Sequence, residues 1–195
     1  MRGLWSLLLV LAAVAAAASA AAAPSSDALI RPGKSIGKAR LGMTEAQVRR
    51  ALGRPLAAVR RNAGFRGVRV EFQYADYELF VQLRGRPNAL RVVRVATFQR
   101  SERTRERVGV GVLRRTLLAR YRGRLRCSIP ESATYTSRGT TYVLAEQCAL
   151  RGPRGRTVFV IALDVDPGRY LGKRNPTLAE WVRSARIEQV AVEAA

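Results

Sequence analysis

Histidine is absent from the 195 residues, which removes the commonest general base and metal ligand of enzyme sites. Cysteine is nearly absent as well. Cys127 and Cys148 alone cannot complete a zinc site, and a nucleophilic thiol would have no imidazole to activate it. No Gly-x-Ser-x-Gly elbow or phosphate-cradling loop occurs, and Gly109-x-Gly111 lacks both a third glycine and a preceding strand. Asp164 and Asp166 have the spacing of paired carboxylates on one strand face, but the simpler reading is that they cap a strand before the Pro167-Gly168 turn. No cofactor, metal or catalytic residue is therefore expected, and the chain reads as a non-enzyme.

Alanine at one end and arginine throughout are what the chain has in excess. Arg2 precedes an apolar run from Leu4 to Val14, and Ala18-Ser19-Ala20 and Ala20-Ala21-Ala22 both offer the small-x-small pattern of signal-peptide cleavage. Residues 1–22 are thus expected to be a cleaved signal peptide, with no transmembrane segment left behind and the product secreted or held in the cell envelope. An uncleaved anchor is the competing reading, since Leu4 to Ala23 is long enough to span a bilayer, although its alanine half partitions weakly. Export makes the cysteines readable. A lone pair in an oxidising compartment predicts a Cys127–Cys148 disulfide, closing a loop of about 20 residues and stabilising by roughly 3 kcal/mol in the chain-entropy model.

The formal net charge is +21, a balance that suggests a polyanionic partner. Yet 32 of the 35 basic residues are arginine and only Lys34, Lys38 and Lys173 are lysine, a skew expected of a GC-rich genome. The arginines are scattered, and pairs such as Arg49-Arg50, Arg60-Arg61 and Arg114-Arg115 read most simply as solvated faces.

From Leu41 to Pro55 every position has a helix role. Thr44 and Gln47 have capping-box spacing, Met43 and Val48 stand at hydrophobic-staple positions, and Gly53 followed by Pro55 ends the segment. Residues 23–35 read as a flexible lead and Leu56 to Gly67 as a connecting loop. Val68, Val70, Phe72 and Tyr74 then alternate with polar residues, Ala75-Asp76 turns the chain, and strands follow from Tyr77 to Leu83 and from Leu90 to Phe98. Charged residues 101–107 read as a linker. Shifted by 69 residues, Leu41, Gly42, Met43, Val48 and Leu52 align with Val110, Gly111, Val112, Leu117 and Tyr121, so the pattern restarts. Strands are expected over Leu125–Ile129, Thr140–Leu150, Thr157–Val165 and Ile187–Val192, with Leu178–Ser184 a short helix or packed loop. The fold expectation is α+β: two tandem repeats, each a helix and then an antiparallel sheet, over residues 36–100 and 108–195, following the cleaved signal peptide.

Gly42-Met43-Thr44-x-x-Gln47-Val48, ending Leu52-Gly53-x-Pro55, resembles the helix motif of the β-lactamase-inhibitor-protein-like superfamily, shared with BamE (SmpA/OmlA)-like outer-membrane assembly lipoproteins. The match spans about fifteen residues. Asp76-Tyr77 at the hairpin tip resembles the Asp-Tyr loop with which such inhibitors enter an enzyme cleft, and also reads as a simple turn followed by a strand aromatic. The first repeat has no cysteine pair, Leu113 replaces the second threonine, and no cysteine follows the apolar run to carry a lipid.

Two functional readings follow. The first is a secreted, non-enzymatic protein-binding module, which the resemblance would make an inhibitor or an envelope-assembly accessory; its partner is another secreted or envelope protein, with Asp76, Tyr77, Phe80 and Tyr142 as contact residues. The second is a basic envelope protein that holds a polyanion such as an anionic wall polymer or acidic lipid. Nucleic acid is the less expected partner.

Overall fold

A computed structural model describes residues 26–62, 67–76, 78–130, 134–137, 140–143, 145–162 and 185–195. The expected signal peptide, Tyr77, the Asp164/Asp166 pair and the 178–184 segment lie outside them. Three two-residue strands come first: β1 (Ile30–Arg31), β2 (Ser35–Ile36) and β3 (Ala39–Arg40), paired antiparallel in chain order. Ile30 is buried in the core cluster, so the part of the 23–35 segment that is described contributes to the core.

Helix α1 (Glu45–Leu52) forms as its sequence dictates. Thr44 Oγ1 accepts from the Gln47 backbone N–H at 3.2 Å and Gln47 Oε1 accepts from the Thr44 N–H at 2.8 Å, which satisfies two otherwise orphan donors. Gly53, at φ +80°, ends it. Strands β4 (Ala57–Asn62), β5 (Val68–Tyr74), β6 (Leu79–Gly85) and β7 (Arg91–Thr97) follow as an antiparallel meander. Helix α2 (Arg114–Arg120) comes next, with Leu113 at its N-cap making no side-chain bond. The chain then runs through β8 (Leu125–Ser128), the hairpin of β9 (Thr134–Ser137) and β10 (Thr140–Val143), and β11 (Ala145–Gly152), β12 (Gly155–Ala162) and β13 (Arg186–Ala194).

The α+β expectation is corrected by this arrangement. Among the described residues the chain is mostly β, with two short helices beside one eight-stranded antiparallel sheet of order β4-β5-β6-β7-β13-β12-β11-β8, and the strands do not divide into two helix-then-sheet repeats. The last strand is the joint. Pairing β13 against β7, Val190 opposite Thr97 through Glu193 opposite Arg94, satisfies the backbone of two strands whose neighbouring residues are buried and removes an edge that each half would otherwise expose. Residues from both halves form one core cluster, with Val48 of α1 and Leu117 of α2 packed on the same face of the sheet. Helices of eight and seven residues can cover only part of that sheet, so strands carry most of the structure.

Two local expectations also fail. Ala57–Asn62, read as loop, is an edge strand whose side chains are almost all exposed; backbone pairing to β5 holds it, and such a strand leaves no apolar alternation to read. Thr140–Leu150, read as one strand, is two, since β10 pairs with β9 and β11 pairs in the main sheet.

The entries to the two helices are built alike. Gly42, at φ +81°, donates to Val92 O at 2.8 Å, and Val92 returns a bond to Met43 O at 2.8 Å. Gly111, at φ +85°, donates to Ile187 O at 2.6 Å, and Ile187 returns one to Val112 O at 2.9 Å. Each glycine thus clips its helix to the first buried residue of a strand in the sheet's middle, β7 or β13. A residue with a Cβ pays to hold such a φ, which is why glycine stands at both places.

Candidate binding surface and cleft

The sheet has a buried face and an outer face. Alternation along β5 and β6 sends Val70, Phe72, Val81 and Leu83 inward and leaves Arg69, Glu71, Phe80 and Gln82 outside. The outer face carries a cross-strand polar ladder. Arg94 donates through Nε to Glu193 Oε1 and through Nη2 to Gln189 Oε1, both at 3.1 Å, while Arg156 Nε reaches Glu193 Oε2 at 3.0 Å. Arg69 pairs with Glu71 at 3.4 Å. Arg94 and Arg156 are committed to a carboxylate on the neighbouring strand and Arg69 to one on its own, so this part of the face is not an open cationic stripe.

At one end of that face lies the β5–β6 hairpin tip. Ala75 and Asp76 both sit at positive φ, 51° and 50°, on exposed positions, and Glu78 donates its N–H back to Ala75 O at 2.9 Å. A left-handed alanine is an unfavourable choice, so the backbone here is held rather than relaxed. Beyond the tip, Phe80 of β6 meets Phe98 just past β7 edge to face, with centroids 5.8 Å apart. Phe98 N–H bonds to Glu78 O at 2.9 Å, which fixes it as the diagonal neighbour of Phe80 across the pair. Phe98 is 36% exposed. The structure therefore brings Asp76 and Phe80 to one hairpin and adds Phe98. It does not bring in Tyr142, whose backbone pairs with Tyr135 in the separate β9–β10 hairpin and whose side chain lies outside the description.

Phe98 also forms one wall of a cleft of about 310 Å³. Buried Val110 and Ile187 line it, and Arg100, Arg186 and Glu188 stand on its exposed rim. Both guanidinium groups converge on Gly111. Arg186 Nη1 donates to Gly111 O at 2.9 Å, and Arg100 Nε lies 3.6 Å from where a Cβ on Gly111 would stand. Among the described residues neither arginine has a carboxylate partner. Nearby, burial lowers the Arg103 guanidinium from its ordinary value, and the like charge of Arg100 lowers it further.

Other polar groups are structural. Cys127 and Cys148 stand opposite one another on β8 and β11 and are joined in a disulfide, so the expected pairing connects neighbouring strands. Glu146 lies close enough to both sulfurs to complete a metal-ligand triad by distance, but bonded sulfurs offer no thiolate. Tyr121 is buried with its hydroxyl 2.7 Å from Glu106 Oε2 and 2.8 Å from Thr104 Oγ1, and burial raises its phenol well above the ordinary range. This network fastens the connector 101–107 to α2.

Sequence reading missed Phe98, Arg100 and Arg186. The two arginines read as scattered charges, and nothing local marks them. Phe98 has no local signal either: with Arg84 opposite Arg91 at the turn, regular pairing would set Phe80 opposite Val95 and send Phe98 to the other face, and the register shift between Gln82 and Leu83 brings the two rings together. No membrane-length apolar helix occurs among the described residues, and the disulfide is compatible with an extracytoplasmic location. No family model matches this chain, and neither does any curated protein or solved structure.

Proposed function

We propose that this is an extracytoplasmic, non-catalytic protein-binding module whose contact surface is the outer sheet face around Phe80 and Phe98, with the Asp76 tip at its margin. The partner is another secreted or envelope protein, and inhibition or envelope assembly are the roles such a module would serve. The observation that carries the reading is the aromatic pair. Phe98 is kept partly in solvent and packed edge to face on Phe80, with Arg100, Arg186 and Glu188 on the rim of the cleft it walls, the arrangement of an aromatic anchor beside polar groups.

The ion pairs of Arg69, Arg94 and Arg156 with Glu71 and Glu193 favour this reading over a polyanion held along the same face. Affinity capture from secreted and envelope fractions, run with the wild type and with Phe80→Ala/Phe98→Ala, tests it. A partner retained by the wild type at high salt and lost by the double variant supports the proposal. Equal retention by both removes this surface from the reading, and binding that collapses with added salt returns the polyanion reading.

A further inference from the structure

The geometry points to the cleft beside Gly111 as a binding site for a carboxylate carried on an apolar body. This site is independent of the protein-binding reading, with which it shares only Phe98. Its floor is apolar, Val110 and Ile187 being buried members of the core whose outer atoms line the cleft. Phe98 supplies an aromatic wall. At the mouth stand Arg100 and Arg186, the second hydrogen-bonded to Gly111 O and the first lying beside the same glycine. Arg186 uses one N–H on Gly111 O, which anchors the guanidinium and leaves other donors of its planar fork available.

Charge decides the class of ligand. Among the described residues, two guanidinium groups without carboxylate partners line the cleft with one carboxylate, Glu188. The described lining groups carry a net positive charge, so an anion gains from entering among them. A planar carboxylate fits the arginine fork by paired hydrogen bonds. The apolar floor selects against a bare inorganic anion and for one attached to an aliphatic or aromatic group. Gly111 stands here for its backbone, at φ +85°, since a Cβ would meet the Arg100 side chain only at ordinary van der Waals distance.

The test uses the whole protein with 4-phenylbutyrate as probe and 4-phenylbutyramide as its uncharged counterpart, followed through the arginine side-chain N–H resonances. The acid is expected to move the Arg100 and Arg186 signals at concentrations that leave the exposed Arg60 and Arg61 signals of β4 unmoved, and the amide is expected to bind about tenfold or more weakly. Arg100→Gln and Arg186→Gln should each weaken the acid, and Glu188→Gln should strengthen it by removing a like charge. All three side chains are exposed, so the fold should survive, which a thermal melt of each variant verifies. Shifts no larger at Arg100 and Arg186 than at Arg60 and Arg61, or equal binding of acid and amide, would overturn the inference. The carboxylate has two sources, a free acid or an acidic group on a bound protein. Displacement of a captured partner by 4-phenylbutyrate assigns the second, and retention of that partner while the acid occupies the cleft assigns the first.

Discussion

Arg114 and Glu146 meet fork to fork: Nε donates to Oε2 at 2.6 Å and Nη2 to Oε1 at 3.0 Å. Arg114 is the first residue of α2 and Glu146 belongs to β11, so the pair ties the helix to the disulfide-bearing strand. Little of the Glu146 side chain is exposed, and its hydrogen bonds raise the Arg114 guanidinium above the ordinary value despite the opposing effect of burial.

Breaking that pair from one side leaves a charge in a half-dry site. Glu146→Gln is expected to cost about 3 kcal/mol, because removing one member of a buried pair exposes the desolvation penalty of the other. Urea unfolding followed by circular dichroism measures it. A loss within the ordinary range of a surface change, about 0.5 kcal/mol, would show the pair to be solvent-screened.

A second prediction concerns close approach. A Cβ on Gly152 would collide with Pro32 O and stand 2.7 Å from Gly33 Cα, so the β11–β12 hairpin lies directly against the β1–β2 turn. Gly33 N–H bonds to Thr157 Oγ1 at 2.8 Å in the same contact, which holds the two backbones together. Gly152→Ala should therefore destabilise by about 2 kcal/mol, since the neighbouring atoms are backbone and cannot rotate away. Gly152 is not among the glycines at positive φ, so its loss reports collision, whereas Gly42→Ala, at φ +81° with nothing within 4 Å, reports backbone strain alone. A Gly152→Ala variant as stable as the wild type would show that the two hairpins can part without cost.

These residues show where the sequence was legible. The α1 helix could be read almost to the residue, because capping and termination depend on atoms within three or four positions of one another, as Thr44, Gln47 and Gly53 are. Alternation marked β5 and β6 because each buries one face. The joining of β7 to β13 could not be read, since it depends on residues nearly a hundred positions apart and on which of two edges closes. The candidate site suffered in the same way: Phe80 was identified, whereas Phe98, Arg100 and Arg186 become a site only when the ends of β7 and the start of β13 are brought side by side.

Acidity provides a third prediction through Glu102, in the connector between the halves. It is buried, and Oε2 lacks a hydrogen-bond partner among the described residues. Burial raises its carboxyl above the ordinary range, Thr97 pulls it partly back, and the charge of Glu78 pushes it up again. An acid whose folded pKa is raised contributes stability below its unfolded pKa, near 4.3, and loses that contribution as pH rises through the folded value. Glu102→Gln should thus be more stable than the wild type at neutral pH, by on the order of 1 kcal/mol, with the gap closing as pH falls toward 4. Paired melts across that interval test it, and a gap that widened on acidification would contradict the assigned direction.

The last prediction turns on where the disulfide lies. Cys127 belongs to β8, a four-residue edge strand whose side chains are half-buried or exposed, so burial contributes little to holding it. Its register on β11, from Leu125 opposite Leu150 to Ser128 opposite Gln147, is pinned by the bond to buried Cys148. Cys127→Ser/Cys148→Ser should lose about 3 kcal/mol by the chain-entropy estimate for a separation of 21 residues. The loss should also be local. Amide exchange is expected to speed up in β8 before it does in β7 or β13, because the latter strands stay covered on both sides of the central joint. Uniform acceleration across the sheet would mean that β8 supports the whole fold, and an unchanged β8 would mean that backbone pairing to β11 holds this edge without the crosslink.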